Sequence, residues 1–203
     1  MKHPTIGVLG LQGDVEEHIA MTKLALARMN LSGEVIWAKR LEDIEHVDRL
    51  IIPGGESTVI GRLAEYRGVL KAVKKRIYDG MPVLGTCAGL IMLAKKVYDR
   101  VVGDVEQPIL GVMDVVVERN AFGRQRESFE ADLNIPVLGC KPFRGVFIRA
   151  PAIRDAGPEV QPLCKLNGTI VAVQQYKMIG VSFHPELTND TRLHQYFLGI
   201  QSS

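Results

Sequence analysis

Short apolar runs alternate with helical patterns through the first half of the chain. The runs predict strands, because each is brief, largely apolar and bounded by glycine, proline or polar residues. They lie at Thr5–Gly10, Val35–Ala38, Leu50–Ile52 and Pro82–Gly85. Strands that alternate with helices imply a parallel sheet whose two faces are both covered. The pattern therefore predicts an α/β fold with three layers.

The first predicted helix begins close to Asp14, which is a candidate N-cap, and runs to about Asn30. Its apolar stripe is predicted to include Ile19, Leu24 and Ala27. Further helical patterns lie at residues 58–63, 69–78 and 90–94. The turns at Gln12, Gly54–Gly55 and Cys87 each follow a predicted strand, so these three turns should meet at one edge of the sheet, where α/β proteins bind ligands.

The second half of the chain is richer in strand patterns. The runs lie at Val112–Glu118, Gly145–Arg149, Thr169–Val173 and Gly180–Phe183, with proline and Asn-Gly turn signals between them. No repeat, low-complexity tract or linker separates the two halves. We therefore predict a single domain, residues 1–203, built around a mostly parallel sheet with a strand-rich second half.

Composition narrows the classes of function. A chain of 203 residues with a formal net charge of +2 has no charge excess that would favour nucleic acid or a membrane surface. No apolar run is long enough to span a bilayer, and the first residues do not resemble a secretory signal. Three widely spaced cysteines fit reduced thiols in a cytoplasmic protein, and Cys140 and Cys164 are predicted to be structural.

The most informative motif is Gly85-Thr86-Cys87-Ala88-Gly89, which joins a predicted strand to a predicted helix. It has the form of a nucleophile elbow with sulfur in place of the serine oxygen. Backbone N–H groups at the start of the helix favour the thiolate and can hold a developing oxyanion. On the motif alone, a buried structural cysteine is an equal alternative.

A cysteine nucleophile needs a base, and His184 is the best candidate among five histidines. It follows an apolar strand, whereas His3, His18, His46 and His194 are predicted to lie on the surface. In extended backbone, residues two apart project to the same side. Glu186 would therefore orient the imidazole toward Cys87, although a surface His-Pro-Glu turn is the alternative for this motif alone.

Together the two motifs resemble those of the class I, triad-type glutamine amidotransferases. Four further segments resemble, more narrowly, the glutaminase subunits of pyridoxal 5′-phosphate synthases. These segments are Gly7–Gly13, Pro53–Thr58, Val117–Gln125 and Phe147–Pro151. The Cys and His-Pro-Glu motifs specify only the superfamily, whereas the arginine motifs and the Gly-Leu-Gln-Gly start indicate the narrower group.

The resemblance implies hydrolysis of L-glutamine through a thioester on Cys87, with ammonia passed to a synthase subunit that makes pyridoxal 5′-phosphate. We expect no metal and no organic cofactor, because a thiolate, an imidazole and backbone donors suffice for amide hydrolysis. Matching motifs residue by residue assigns glutamine binding to Gly54, Gly55, Glu56, Arg119, Ile148 and Arg149. The chemistry agrees, because guanidinium groups suit a carboxylate and an acidic side chain suits an ammonium. Oxyanion donors are expected at Gly55 and Ala88.

We hypothesise that Gln12 has a regulatory role. We expect the synthase partner to dock near residues 12–18 and complete the oxyanion site, although a plain turn glutamine is the competing interpretation. Three other functions stay open at this point. They are a glutaminase that serves another synthase, such as one for histidine, purine or folate precursors, a cysteine hydrolase or stress protein with a related elbow, and a non-catalytic binding subunit that kept the fold.

Overall fold

The computed structural model describes residues 3–99, 102–119, 121 and 128–201. Its first half contains β1 (Thr5–Leu9), α1 (Val15–Arg28), β2 (Glu34–Ala38), α2 (Leu41–His46), β3 (Arg49–Ile52), α3 (Ser57–Tyr66), α4 (Val69–Tyr78), β4 (Val83–Thr86) and α5 (Ala88–Leu93). Its second half contains β5 (Ala94–Asp99), β6 (Gly103–Asp104), β7 (Met113–Arg119), β8 (Ser128–Leu133), β9 (Phe143–Ile148), β10 (Ala152–Ala156), β11 (Gln161–Leu166), β12 (Thr169–Gln175), β13 (Met178–Val181) and α6 (Arg192–Gly199).

Within the described ranges, eleven strands form one sheet in the order β2-β1-β3-β4-β13-β12-β10-β7-β5-β6, and β11 pairs with β12. The stretch from β2 to β13 is parallel throughout. Beyond β13 the pairing becomes antiparallel through β12, β10 and β7, before β5 pairs parallel with β7. The hairpin β8–β9 forms a separate small sheet. The predicted α/β class is confirmed, and the strand-rich second half extends its parallel part.

Two hydrophobic cores cover opposite faces of the sheet. One is formed against α3, α4 and α5, and includes Ile60, Val73 and Leu90. The other is formed against α1, α6 and the β8–β9 hairpin, and includes Leu26 and Phe197. Along the central strand β3 the side chains alternate between the two cores, as the two-residue period of a strand requires. The predicted three-layer arrangement is therefore confirmed.

The predicted apolar stripe of α1 is wrong for Leu24 and Ala27, whereas Ile19 packs against the second core as predicted. Leu24 is 41% exposed and Ala27 is also exposed. The buried side of the helix contains two polar residues, His18 and Thr22, among its apolar ones. The Thr22 hydroxyl donates to the His18 carbonyl at 2.7 Å, which satisfies one of these buried groups. Because these two buried residues are polar, the apolar pattern of the sequence did not reveal which face of α1 is buried.

Strand β5 was not predicted. The apolar pattern after Gly89 is helical only to Leu93, and Ala94 already begins a strand. Lys95 and Lys96 are exposed, as expected, but they lie on this strand. The other strands that the pattern missed are β6, β8, β10 and β11, which are short or rich in polar residues. Among the described residues, no helix combines the length and the apolar character needed to cross a membrane.

We predict that Gly89→Ala destabilises the fold. A Cβ at Gly89 would lie 2.0 Å from the Ile52 carbonyl oxygen, so α5 would have to move away from β3. Overpacking of this kind costs about 1–3 kcal/mol of unfolding free energy. Gly199→Ala is the matched control, because nothing lies within 4 Å of its added Cβ. Urea unfolding should separate the two variants, and equal midpoints would contradict the close contact between α5 and β3.

Candidate active site

The site forms where β1, β3, β4 and β13 end at one edge of the sheet. The turns after the first three strands contain Gln12, Gly55 and Cys87, and His184 follows the fourth. These residues line one cleft of about 920 Å³, including its open mouth. The expectation that the turns meet at this edge is confirmed.

Cys87 has the backbone geometry of a nucleophile elbow. Its φ of 49° and ψ of −103° are unusual for a residue with a side chain. The conformation is held by its N–H, which donates to the Val181 carbonyl at 2.8 Å, and by α5, which begins at Ala88. Cys87 is buried, with 7% of the residue exposed, and its sulfur lies 3.9 Å from the Ile148 carbonyl oxygen. The sulfur thus faces the cleft from a fixed position.

His184 and Glu186 form a buried pair. His184 Nδ1 lies 2.6 Å from Glu186 Oε1, so the predicted contact is present. The predicted extended geometry is wrong, because Pro185–Leu187 is a 3₁₀ turn, and this turn brings the carboxylate back to the imidazole. Burial lowers the pKa of His184, but hydrogen bonds with Asp14, Cys87 and Glu186 outweigh it and raise this pKa well above its ordinary value. Burial raises the pKa of Glu186.

Asp14 is a site residue that the sequence analysis placed in another role. It occupies the N-cap position of α1, yet its carboxylate makes no capping hydrogen bond with the described residues. Asp14 Oδ2 instead lies 3.3 Å from His184 Nδ1. The carboxylate therefore adds a second negative charge beside the imidazole.

Asp14, His184 and Glu186 also form a group with metal-ligand chemistry, since their donor atoms lie within 4.8 Å of one another. The 2.6 Å contact between His184 and Glu186 fits a hydrogen bond. Ligand atoms that share one zinc ion stand further apart, because each lies about 2.0–2.2 Å from the metal. The arrangement therefore favours a hydrogen-bonded acid–imidazole pair.

Two of the histidines that were expected at the surface are buried. His18 and His194 are both 0% exposed, so that expectation is wrong for them. His18 Nδ1 lies 3.2 Å from His194 Nε2, and His18 Nε2 lies 3.0 Å from the Thr86 hydroxyl. These polar partners come from distant parts of the chain, which allows the rings to be buried. His3 and His46 are exposed, as expected.

The Gly54–Gly55 turn is pinned to the turn after β1. The N–H of Asp14 donates to the Gly54 carbonyl at 3.3 Å, and the N–H of Glu56 donates to Gln12 Oε1 at 2.7 Å. Gly13 has a φ of 112°, and a Cβ there would lie 1.7 Å from the Gly54 oxygen. The Gln12 side chain therefore helps to fix the turn that contains the expected oxyanion donor at Gly55.

Glu56 and Arg119 form a polar group on one wall of the cleft. Glu56 Oε1 accepts from the N–H of Thr58, which caps α3, and lies 3.4 Å from Arg119 Nη2. Arg119 Nη1 lies 3.3 Å from Gln107 Oε1. Gln107 was not predicted as a site residue, because it lies in no motif. With the Thr58 hydroxyl 3.4 Å from Nη1, three partners orient the guanidinium.

Ile148 and Arg149 also line the cleft. Both side chains are exposed at the cleft, and Arg149 has a φ of 42°. The cleft contains nearly all of the predicted site residues. They are Gln12, Gly55, Glu56, Cys87, Ala88, Arg119, Ile148, Arg149 and His184. Gly54 and Glu186 lie directly behind this lining. Most of the Asn120–Gln125 part of the arginine motif falls outside the described residues.

The other two cysteines differ from each other. All three cysteines are free thiols. Cys164 is buried in β11, as a structural residue would be, and burial raises its pKa. Cys140 is exposed, so the prediction of a structural role for it is wrong. The polar turn that contains Cys140 contributes no core position.

Comparison with known proteins agrees with this geometry. A model of the SNO glutamine amidotransferase family matches residues 8–202. The chain is 55% identical to the pyridoxal 5′-phosphate synthase subunit PdxT of Pyrococcus horikoshii, over 95% of this chain and 97% of that protein. It is 47% identical to the subunit of the same name from Nitrosopumilus maritimus, over 96% and 95% of the two chains.

Solved structures give the same assignment. A crystal structure of a glutamine amidotransferase is 48% identical in sequence and superimposes with a TM-score of 0.82, covering 96% of this chain and 97% of the other. A glutamine amidotransferase from Thermotoga maritima is only 15% identical, with a TM-score of 0.63, and supports the fold alone. Because the family model matches residues 8–202, which is nearly the whole chain, the chain belongs to the SNO glutamine amidotransferase family.

Proposed function

We propose that this chain hydrolyses L-glutamine to L-glutamate and ammonia, and supplies the ammonia to a synthase subunit that makes pyridoxal 5′-phosphate. The observation that carries the proposal is that Cys87 and His184 meet in one cleft, with Glu186 buried against His184, in a chain that belongs to a glutamine amidotransferase family. The relatives named as pyridoxal 5′-phosphate synthase subunits support the choice of pathway.

In the first half of the reaction, the Cys87 sulfur attacks the carbon of the side-chain amide. The carbon–sulfur bond forms as the carbonyl oxygen takes up the electron pair, and backbone N–H groups of Gly55 and Ala88 stabilise this oxyanion. The tetrahedral intermediate collapses when the carbon–nitrogen bond breaks. His184 donates its proton to the departing nitrogen, so ammonia leaves and a γ-glutamyl thioester remains.

In the second half, His184 accepts a proton from water as the water oxygen attacks the thioester carbon. Collapse of this second intermediate breaks the carbon–sulfur bond, and the products are glutamate and the restored thiolate. Glu186 supports both halves, because its carboxylate stabilises the imidazolium and fixes the ring through the 2.6 Å contact. The raised pKa of His184 favours the protonated ring beside a thiolate.

The walls of the cleft suit the rest of the substrate. Arg119 and Arg149 supply positive charge for the α-carboxylate, and Glu56 supplies negative charge for the α-ammonium. Gly54 would contribute backbone polar groups to the glutamine site, and Ile148 would shape its wall. The contact between Glu56 and Arg119 orients both groups before glutamine binds, and ordering in advance lowers the cost of binding.

We further propose that residues 1–203 act as one glutaminase domain in a complex with the synthase. A nucleophilic thiol at Cys87 must stay reduced, which favours a cytoplasmic site of action.

Docking of the synthase subunit near Gln12 is supported by the exposed position of Gln12 and by its contact with the Glu56 N–H. The docking segment that we expected to reach His18 must end before it, because His18 is fully buried.

The nucleophile and the partner are tested together. Glutamate release from L-glutamine should rise when the synthase subunit is added, and should fall roughly 10⁴- to 10⁶-fold in Cys87→Ala. Cys140→Ala is the matched control and should behave as wild type, because Cys140 is exposed and outside the cleft. Turnover that does not change when the synthase subunit is added would contradict the proposed pathway. Absence of turnover in folded wild-type protein would contradict the proposed enzymatic role.

Arg119 is expected to act in binding. Arg119→Lys keeps the charge but removes the planar guanidinium that Glu56 and Gln107 orient. KM for glutamine should rise by about tenfold to hundredfold, as loss of a charged hydrogen bond implies, with a smaller change in kcat. Arg144→Lys on the exposed β8–β9 hairpin should leave both constants unchanged. A fall in kcat without a change in KM would contradict the binding role.

Gln12 is expected to act when the partner is bound. Gln12→Ala removes the acceptor that holds the Glu56 N–H, so the turn with the Gly55 donor should lose its order. Partner-stimulated turnover should fall by up to about 10²-fold. The control is Gln161→Ala on the exposed start of β11. Unchanged stimulated turnover in Gln12→Ala would show that this glutamine is a plain turn residue.

A further inference from the structure

A row of two buried histidines lies next to Glu186, the acid of the proposed triad. His18 in α1 and His194 in α6 are both fully buried, and their rings are in contact through His18 Nδ1 and His194 Nε2 at 3.2 Å. His18 Nε2 lies 3.2 Å from Glu186 Oε2. The proposed reaction uses neither ring, so the row requires its own explanation.

The two oxygens of Glu186 have different surroundings. Oε1 accepts from His184 at 2.6 Å. Oε2 is buried and receives no well-directed hydrogen bond from the described residues. A buried carboxylate oxygen without a donor is costly, and His18 Nε2 is the polar atom placed to supply one. Nε2 also lies 3.0 Å from the Thr86 hydroxyl, in the geometry of a hydrogen bond, so this nitrogen is held between the Thr86 and Glu186 oxygens.

The hydrogen bonds of this row have a preferred direction from donor to acceptor. An ionised Glu186 requires a proton on His18 Nε2, which leaves His18 Nδ1 as an acceptor for His194 Nε2–H. His194 Nδ1 then carries only a lone pair, which agrees with its being a buried nitrogen that has no hydrogen-bond partner among the described residues. The opposite direction would place an unpaired N–H at that position and a lone pair against the carboxylate. Buried N–H groups without acceptors are rare, so the first direction is favoured.

We propose that His18 is a positioning residue: its Nε2–H, fixed by His194, orients the Glu186 carboxylate and keeps it ionised toward His184. The proposal rests on the proposed glutaminase function, because it concerns the acid of that triad. His18 touches neither the thiol nor the substrate cleft. It acts through Glu186, as groups behind a reactive residue commonly do.

The charge states of the rings agree with this geometry. Burial lowers the pKa of His18 well below its ordinary value, and the neighbouring His194 and His184 lower it further. Burial also lowers the pKa of His194 to about 3. Both rings are therefore neutral near pH 7, and each has the one donor and one acceptor that the row requires.

Removal of the His18 donor should change how Glu186 titrates. The titratable groups that face Glu186 are His184 on its own turn, and His18 and Asp14 from the α1 side. Without His18 Nε2–H the ionised carboxylate loses a donor, so its pKa should rise further. His184 then loses its ionised partner at a higher pH, and the acid limb of the pH profile for kcat/KM should move upward.

The first test measures protonation without activity. Long-range ¹H–¹⁵N spectra of the protein labelled at histidine should show His18 and His194 as neutral rings protonated at Nε2, with assignments from His18→Gln and His194→Gln. A ring of His18 that is protonated at Nδ1 would overturn the proposal. This measurement stands even if the chain were to lack glutaminase activity, so the two proposals fail separately.

The second test compares two variants in the glutaminase assay with the synthase subunit present. His18→Gln keeps an N–H near the Nε2 position, whereas His18→Leu fills the space without a donor. His18→Leu should lose about tenfold to hundredfold in kcat, with KM nearly unchanged and the acid limb moved upward. His18→Gln should recover most of this loss. Equal activity of both variants, or a loss in His18→Leu with an unmoved pH profile, would overturn the positioning role.

Discussion

The site depends on one constraint, the position of Cys87 between β4 and β13. Its backbone is held in a strained conformation by the hydrogen bond from its N–H to the Val181 carbonyl. Val181 is the last residue of β13, and three residues later the same chain segment presents His184. The parallel pairing of β4 and β13 thus fixes the proposed nucleophile and the proposed base relative to each other. Local strain is maintained because the surrounding sheet and α5 are fully packed.

The remaining parts of the site are attached to this pair by turns. The turn after β1 holds the turn after β3 through the contacts of Asp14 and Gln12, and Glu56 in turn meets Arg119 from β7. Each turn follows a strand of one continuous sheet, so small shifts are resisted by packed layers on both sides. A cleft built this way is largely formed before substrate binds, which suits catalysis by fixed donors and charges.

Much of the site was predictable because its signals are local. The elbow around Cys87 and the His184–Glu186 pair are short motifs, and apolar runs predict the central strands. Burial of His18 was not predictable, since its ring partner lies 176 residues away in α6. The role of Asp14 was missed for a similar reason, because a helix N-cap and an imidazole partner have the same residue type. Strands such as β8 and β11 were missed because their polar residues conceal the alternation.

The central claim, that the glutamine amide is attacked by the sulfur of Cys87, can be tested by covalent capture. A glutamine analogue with a diazoketone in place of the amide would be incubated with the complex, and the labelled residue located by mass spectrometry. One label on Cys87, prevented by excess L-glutamine, is the predicted result, with exposed Cys140 and buried Cys164 unlabelled. Labelling of Cys140 instead, or loss of activity with Cys87 unmodified, would contradict the assignment of the nucleophile.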